Sequence, residues 1–225
     1  IARASLGLSP NSPIRGLIKA LERNGVLIIS LPLDIPGFDG FSAWAGHDPA
    51  RPVVALLQGK TAFREESTVA EEFAHLVMHS PLRTNAVEAD KEARRFALEL
   101  LLPSEAMMAE MQPPVTLSSL SAMKPRWGVS IAFLAKRAES LNLITNNQYR
   151  YLCQQMRARW GSKSEPGDDL VIPERPALLR KMAEMLYGKP IDVSRMAKES
   201  GVPVPLIRGV LGIETIPARV LEIKR

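Results

Sequence analysis

The chain is organised around one stretch, which reads Thr68-Val-Ala-Glu-Glu-Phe-Ala-His-Leu-Val-Met-His79. This motif stretch predicts a helix whose apolar stripe consists of Val69, Phe73, Leu76 and Val77. Because a helix turns by about 100° per residue, the polar residues fall on roughly the opposite side, and these are Glu71, Glu72, His75 and His79. Two of the three histidines of the chain therefore lie beside two glutamates on one helix face.

The composition around this stretch is that of an ordinary globular protein. The 225 residues are 46% hydrophobic and 24% charged, which excludes fibrous and broadly disordered classes. A single cysteine, Cys153, excludes an internal disulfide, and no apolar run approaches the roughly 20 residues of a membrane span. We therefore expect a cytoplasmic protein. Since the first residue is Ile1 and not methionine, we also expect that an N-terminal piece precedes it.

Short strands and many helices are predicted on either side of the motif stretch. A helix capped by Ser12 opens the chain, and apolar, β-branched runs at residues 26–31, 41–45 and 52–57 predict three strands. Helices are predicted at 87–102, 104–111, 116–123, 130–141 and 145–160, and the last three begin at the predicted caps Thr116, Ser130 and Thr145. The sequence thus predicts an α+β fold that is predominantly helical.

The C-terminal part contains a pair of short helices that resembles a helix-turn-helix. A loop at residues 161–169 precedes a helix at 176–187, and the pair follows at 193–200 and 205–211. The second helix of the pair has one arginine, Arg208, and no Asn, Gln or Lys for base edges. We therefore interpret the pair as structural or partner-binding and expect no direct DNA contact. The net charge of +5 is spread along the chain and is consistent with a solvated surface.

The acids and histidines of the motif stretch are compatible with metal chemistry. A zinc helix of the H-E-x-x-H kind uses two imidazoles one turn apart as ligands and a glutamate next to the first as general base. Glu72 and His75 occupy the base and second-ligand positions, whereas Glu71 stands at the first. From the residues alone, a surface or structural role for such Glu/His pairs remains the commoner outcome.

Three motifs in the same order resemble the ImmA/IrrE family of metallopeptidase-like bacterial regulators. The motif stretch is similar to the F-T-L-A-H-E-L-G-H-L-L-L-H segment of that family. Glu92-Ala-Arg-Arg-Phe-Ala-Leu-Glu-Leu-Leu-Leu-Pro103 is similar to its E-A-N-x-F-A-A-E-L-L-M-P, and Trp127-Gly-Val-Ser-Ile-Ala-Phe-Leu-Ala-Lys-Arg137 to its W-x-V-S-x-x-A-L-x-x-R helix. The resemblance covers roughly residues 17–166.

The resemblance implies a small gluzincin-like core with a short three-stranded sheet and a zinc site. By position, His75 and Glu92 are metal ligands, Glu72 is the general base, and Glu71 takes the place of the first ligand. The implied organisation is a metallopeptidase-like core at 1–112, a helical extension at 113–165 and a C-terminal helical region at 166–225. The implied partner is a helix-turn-helix repressor, bound or cut in a stress, phage or mobile-element response. A DNA-binding domain before Ile1 would suit that arrangement.

Because Glu71 replaces a histidine, several interpretations of the metal site remain open. A carboxylate also binds zinc, so Glu71, His75 and Glu92 could form a three-ligand site whose extra negative charge favours manganese. Alternatively, His79 could join His75 as a ligand, or it could simply hydrogen-bond a neighbour. Glu71 could also be an engineered change, or a natural loss in a protein that holds no metal.

Two functions follow from these readings. The first is a metal-dependent endopeptidase, weakened by Glu71, in which Glu72 activates water and a protein substrate is cut. The second is a catalytically inactive regulator or antitoxin-type partner that binds a protein or small ligand through the same cleft. The sequence identifies neither the substrate nor the oligomeric state.

Overall fold

The computed structural model describes residues 1–33, 35, 37–79, 85–161 and 164–213. Contacts divide the chain into two compact units, each of which is discontinuous in sequence. The first unit contains Ile1–Ala20 and Thr61–Glu174, and the second contains residues 21–60 and the described residues from Arg175 onward. This grouping differs from the predicted division into 1–112, 113–165 and 166–225, which stays a prediction.

The first unit is helical. Its helices, of which the second continues into the other unit, are α1 (Ala2–Ser5), α2 (Leu17–Arg23), α3 (Ala62–Met78), α4 (Ala86–Leu101), α5 (Ser104–Glu110), α6 (Leu117–Trp127), α7 (Ile131–Ser140) and α8 (Asn146–Trp160). The predicted caps Thr116, Ser130 and Thr145 each accept a hydrogen bond from the backbone N–H three residues later. The sequence signals for these three helix starts are therefore confirmed.

The start of α2 was predicted wrongly. The helix begins at Leu17 and not after Ser12, because Gly16 has a φ of +88°, in the left-handed region that does not continue into a helix. Its first N–H groups are capped from far along the chain instead. The carboxylate of Glu174 accepts hydrogen bonds from the backbone N–H of Ile18 at 2.9 Å and of Lys19 at 2.8 Å.

The apolar face of α3 also differs in part from the prediction. Val69 and Leu76 are buried as expected, but Val77 is 54% exposed. The interior is reached instead by Ala70 and Ala74, which are fully buried. Small side chains allow a neighbouring backbone to approach closely, and a count of large apolar residues does not reveal such a face.

A buried ion group fixes the segment after α8. The Nζ of Lys124 lies 3.1 Å from Glu165 and 2.5 Å from Asp168, and its side chain is 3% exposed. Glu165 also accepts hydrogen bonds from the N–H groups of Ile131 and Ala132 at the start of α7. The predicted loop at 161–169 is thus an ordered connection where it is described, while residues 162–163 lie outside the described residues.

The second unit contains a small mixed sheet. Its strands are β1 (Leu27–Leu31), β2 (Gly40–Ala45) and β3 (Arg51–Leu57), and β3 lies between the other two. β1 runs parallel to β3 with Ile28 opposite Val54, and β2 runs antiparallel to it with Ala43 opposite Val53. The three predicted strands are confirmed, and the fold is α+β and predominantly helical as expected.

Three further helices complete the described part of the second unit: α9 (Leu178–Tyr187), α10 (Val193–Ser200) and α11 (Val204–Val210). They share a buried apolar cluster that includes Ala183, Val193 and Ile207. Both α9 and α11 contact β1. The helix-turn-helix-like pair, α10 and α11, therefore takes part in a packed core. Across the described residues, no helix combines the length and the apolar character that crossing a bilayer requires.

Candidate functional site

The motif stretch and the first family-like motif after it lie on α3 and α4, which pack against each other. Phe73 of α3 and Phe96 of α4 meet edge to face, with ring centroids 5.9 Å apart and planes at 64°. Ala89, Ala93 and Ala97 form a buried stripe along α4. The predicted site residues lie on this helix pair, all of it within the first unit.

His75 and His79 are in direct contact. They are four residues apart, one on the last turn of α3 and the other immediately after it, so their rings meet on one side of the helix. The two Nδ1 atoms are 3.1 Å apart and the ring centroids 4.9 Å apart. One imidazole must therefore donate to the other.

His79 uses its second nitrogen to reach α4. Its Nε2 lies 3.1 Å from Oε2 of Glu92, and its side chain is only 8% exposed. The ring of His79 thus stands between His75 on one side and Glu92 on the other. The prediction that His79 hydrogen-bonds a neighbour is matched by these contacts.

Glu71 faces a cation. Its Oε1 lies 3.7 Å from Nε of Arg94 on α4. Arg94 stands where the family pattern E-A-N-x-F has asparagine, and Glu71 stands where the pattern H-E-x-x-H has histidine. The two departures of this sequence from these patterns therefore form an ion pair with each other. Glu72, the predicted base, is half-buried on the same helix.

The electrostatic environment of His75 favours its neutral form. Its pKa is lowered first by burial and second by the neighbouring His79, while Asp90, whose Oδ1 lies 3.6 Å from Nε2, acts in the opposite direction. A neutral imidazole has one donor and one acceptor nitrogen, which suits contacts at both of its nitrogens.

These contacts decide how well a metal ion fits. Asp90 and Arg94 lie on one flank of the buried alanine stripe of α4 and Glu92 on the other, because four residues advance a helix by little more than one turn. Glu71 contacts Arg94 on one flank of α4, whereas Glu92 lies on the other flank. The ring of His79 separates Glu92 from His75. Within the described ranges, no three His, Cys, Asp or Glu side chains are grouped to hold one ion. As placed, these residues do not fit a zinc ion, and the ligand set Glu71, His75 and Glu92 stays a prediction.

Sequence reasoning missed two partners on α4 and one link between motifs. Asp90 and Arg94 are four residues apart on one side of α4. This spacing could have suggested that they pair with His75 and Glu71, which are four residues apart on α3. The carboxylate of Glu99, whose side chain is 56% exposed, accepts hydrogen bonds from the buried guanidinium of Arg137 and from the hydroxyl of Ser104. This contact ties together the second and third family-like motifs.

Comparison with known proteins gives one family. The family model of the peptidase M78 group, described as the IrrE N-terminal-like domain, matches residues 21–139, which is more than half of the chain. This range contains α3, α4, and α7 up to the residue before its last. No curated protein matches the sequence. The matched range and the three motifs within it together show that the chain belongs to the ImmA/IrrE family of metallopeptidase-like proteins.

Proposed function

We propose that this chain is a regulator that controls a helix-turn-helix repressor in the bacterial cytoplasm by binding it, without a bound metal. The observation that carries the proposal is the ion pair between Glu71 and Arg94. Membership of a metallopeptidase-like regulator family supports the regulatory role. The repressor is the partner that the resemblance implies, in a stress, phage or mobile-element response.

The ion pair bears on the metal because it changes the charge at the first-ligand position. In a zinc helix of this kind the imidazole is neutral and the metal supplies the positive charge. Here a carboxylate is present, and the Arg94 guanidinium supplies the positive charge from the protein itself. An additional divalent ion would have to displace Arg94 and turn the ring of His79 away from Glu92.

A second candidate function is a metal-dependent endopeptidase, which the family match favours. In that case Glu71, His75 and Glu92, with His79 as a further candidate, would hold zinc or manganese, and Glu72 would be the general base. The helix pair of α3 and α4 is compatible with this assignment only if His79 changes its hydrogen-bond partners.

Elemental analysis distinguishes the two candidates. The full chain is purified without chelator, next to Glu71→His, Arg94→Asn and the double variant that restores both family positions. We expect well under one equivalent of zinc or manganese in the original chain and about one equivalent of zinc in the double variant. Retention of about one equivalent of either metal by the original chain would contradict the proposal.

A second assay tests regulation itself. A candidate helix-turn-helix repressor is mixed with the original chain and with Glu72→Gln, and both complex formation and fragment production are followed. We expect both proteins to bind the repressor equally and neither to cut it. Cleavage that disappears in Glu72→Gln would establish the endopeptidase and remove the binding-only function.

A further inference from the structure

The first unit contains a cavity that is lined by none of the candidate metal-site residues Glu71, Glu72, His75, His79 and Glu92. Its volume is about 250 Å³, and it lies at the N-terminal part of α3. The walls are mostly apolar and include Leu17, Phe63 and Val69, each at most 2% exposed. Ile172, which is 88% exposed, stands at its rim. The cavity is thus lined by buried side chains and is accessible from the solvent.

Two of the charged groups around the cavity are already engaged by the backbone. The carboxylate of Glu174 accepts from the N–H groups of Ile18 and Lys19 at the start of α2. The guanidinium of Arg15 donates to the carbonyl of Arg126 at 3.0 Å. Both groups are therefore held in place at the edge of the cavity.

Glu66 is different, because it lines the cavity and makes no hydrogen bond to any described residue. Burial and the nearby charge of Glu174 raise the pKa of Glu66 to about 8, against the lowering effect of Arg15. With Glu65 also on the lining, carboxyl groups outnumber the single guanidinium by three to one. A buried carboxyl group without a donor is costly, so a ligand that brings a donor gains free energy.

The size and charge of the space narrow the class of ligand. An apolar cavity of about 150 Å³ accommodates benzene, so this one accommodates an aromatic ring with a short side chain. Like charge on Glu65 and Glu174 disfavours an anion. We propose that the cavity binds a small organic amine, whose apolar body lies against Phe63 and Val69 and whose ammonium group donates to the carboxylate of Glu66.

Binding of an ammonium group to a protonated Glu66 must release the carboxyl proton to the solvent. The event is therefore Glu66 losing one proton and forming an ion pair with the amine, with no other bond made or broken. The charged groups that act on Glu66 are Glu174 and Arg15, and Glu65 on the same helix also lines the cavity. The proposal does not depend on the proposed function, since it concerns a different set of residues.

Isothermal titration calorimetry of the full chain with benzylamine tests the proposal at pH 7 in two buffers of different ionisation enthalpy. We expect saturable one-to-one binding with a dissociation constant of about 0.1–1 mM and release of a substantial fraction of one proton. Benzyl alcohol, which has the same ring but no charge, is expected to bind at least about tenfold more weakly.

Variants locate the site. Glu66→Gln should weaken benzylamine binding at least about tenfold and abolish proton release, whereas Glu88→Gln, which removes an exposed carboxylate on α4, should leave both unchanged. Ile172→Trp at the exposed rim should also weaken binding, and it tests the location even if Glu66→Gln fails to fold. Absence of saturable binding, equal binding of benzyl alcohol, or unchanged binding by Glu66→Gln or Ile172→Trp would overturn the proposal.

Discussion

Arg94 is the residue that most changes the interpretation of the motif helix. In the sequence, Arg94 has the pattern of an ordinary exposed residue of a helix. Only the packing of α3 against α4 brings its side chain close to Glu71. In the sequence, Glu71 is notable because it replaces a metal-binding histidine. In the structure, its carboxylate forms an ion pair with Arg94. Its chemistry depends on a residue 23 positions away in the printed sequence.

A double-mutant cycle on Glu71→Ala and Arg94→Ala measures the strength of this pair. Because the Arg94 side chain is 60% exposed, solvent screens the attraction, and we expect a coupling free energy of about 0.2–1 kcal/mol in urea denaturation. Arg95→Ala combined with Glu71→Ala serves as the control and should show no coupling. A coupling above about 2 kcal/mol would mean that the pair behaves as a buried one.

Glu66 gives the molecule a specific pH dependence. Its pKa is raised from the ordinary 4.5 to about 8 by burial and by Glu174, so between these values the folded state holds a proton that the unfolded chain has lost. Stability is therefore highest near or below pH 4.5 as far as this group is concerned, falls as the pH rises through that window, and becomes constant above about 8.

Glu66→Gln should remove this dependence. We expect the variant to gain stability over the original chain as the pH rises from 5 to 9, by at most about 5 kcal/mol. Urea denaturation across this pH range checks the difference, with Glu88→Gln as the matched exposed control. A difference between Glu66→Gln and the original chain that does not vary with pH would show that Glu66 ionises normally.

At the scale of the elements, the connection after α8 depends on one buried lysine. Lys124 is the only cation that reaches both Glu165 and Asp168 among the described contacts. Lys124→Met leaves two acidic groups without their counter-charge, and we expect a loss of about 3–5 kcal/mol in the free energy of unfolding. Lys91→Met, which breaks an exposed pair with Glu88, should cost at most about 1 kcal/mol. Equal losses in the two variants would contradict a buried role for Lys124.

Features of the helices and strands that depend on residues close in sequence could be predicted, whereas features that depend on distant residues could not. The three strands and the caps Thr116, Ser130 and Thr145 depend on near neighbours, and they are confirmed. The carboxylate that caps the start of α2 belongs to Glu174, which is 156 positions from Ile18, so the local sequence does not identify this cap.

The candidate site divides in a similar way. The helices that carry His75 and Glu92 were predictable from periodicity and from family-like motifs, and both are confirmed as helices. The partners of these side chains depend on how α3 and α4 face each other, which periodicity does not specify. For that reason His79 was recognised only as a residue with several possible roles, whereas it contacts both His75 and Glu92.

For the whole molecule, the net charge of +5 leads to a prediction about DNA. The charge is distributed along the chain, and α11, the helix that would read bases, packs against β1. We expect non-specific duplex binding with a dissociation constant of about 10⁻⁴ M or weaker at physiological salt, measured by fluorescence anisotropy. Arg208→Ala should not alter it. Sequence-dependent, sub-micromolar binding that Arg208→Ala abolishes would instead identify a DNA-reading helix pair.

The cap that Glu174 provides for α2 also affects how the chain is made. The N–H groups of Ile18 and Lys19 are synthesised 156 and 155 positions before their acceptor. At about 5–20 residues per second, the acceptor follows roughly 8–30 s later. During that interval Leu17 and Ile18, which are buried in the finished protein, are exposed on the nascent chain. The cap at the start of α2 therefore cannot form until Glu174 has been synthesised.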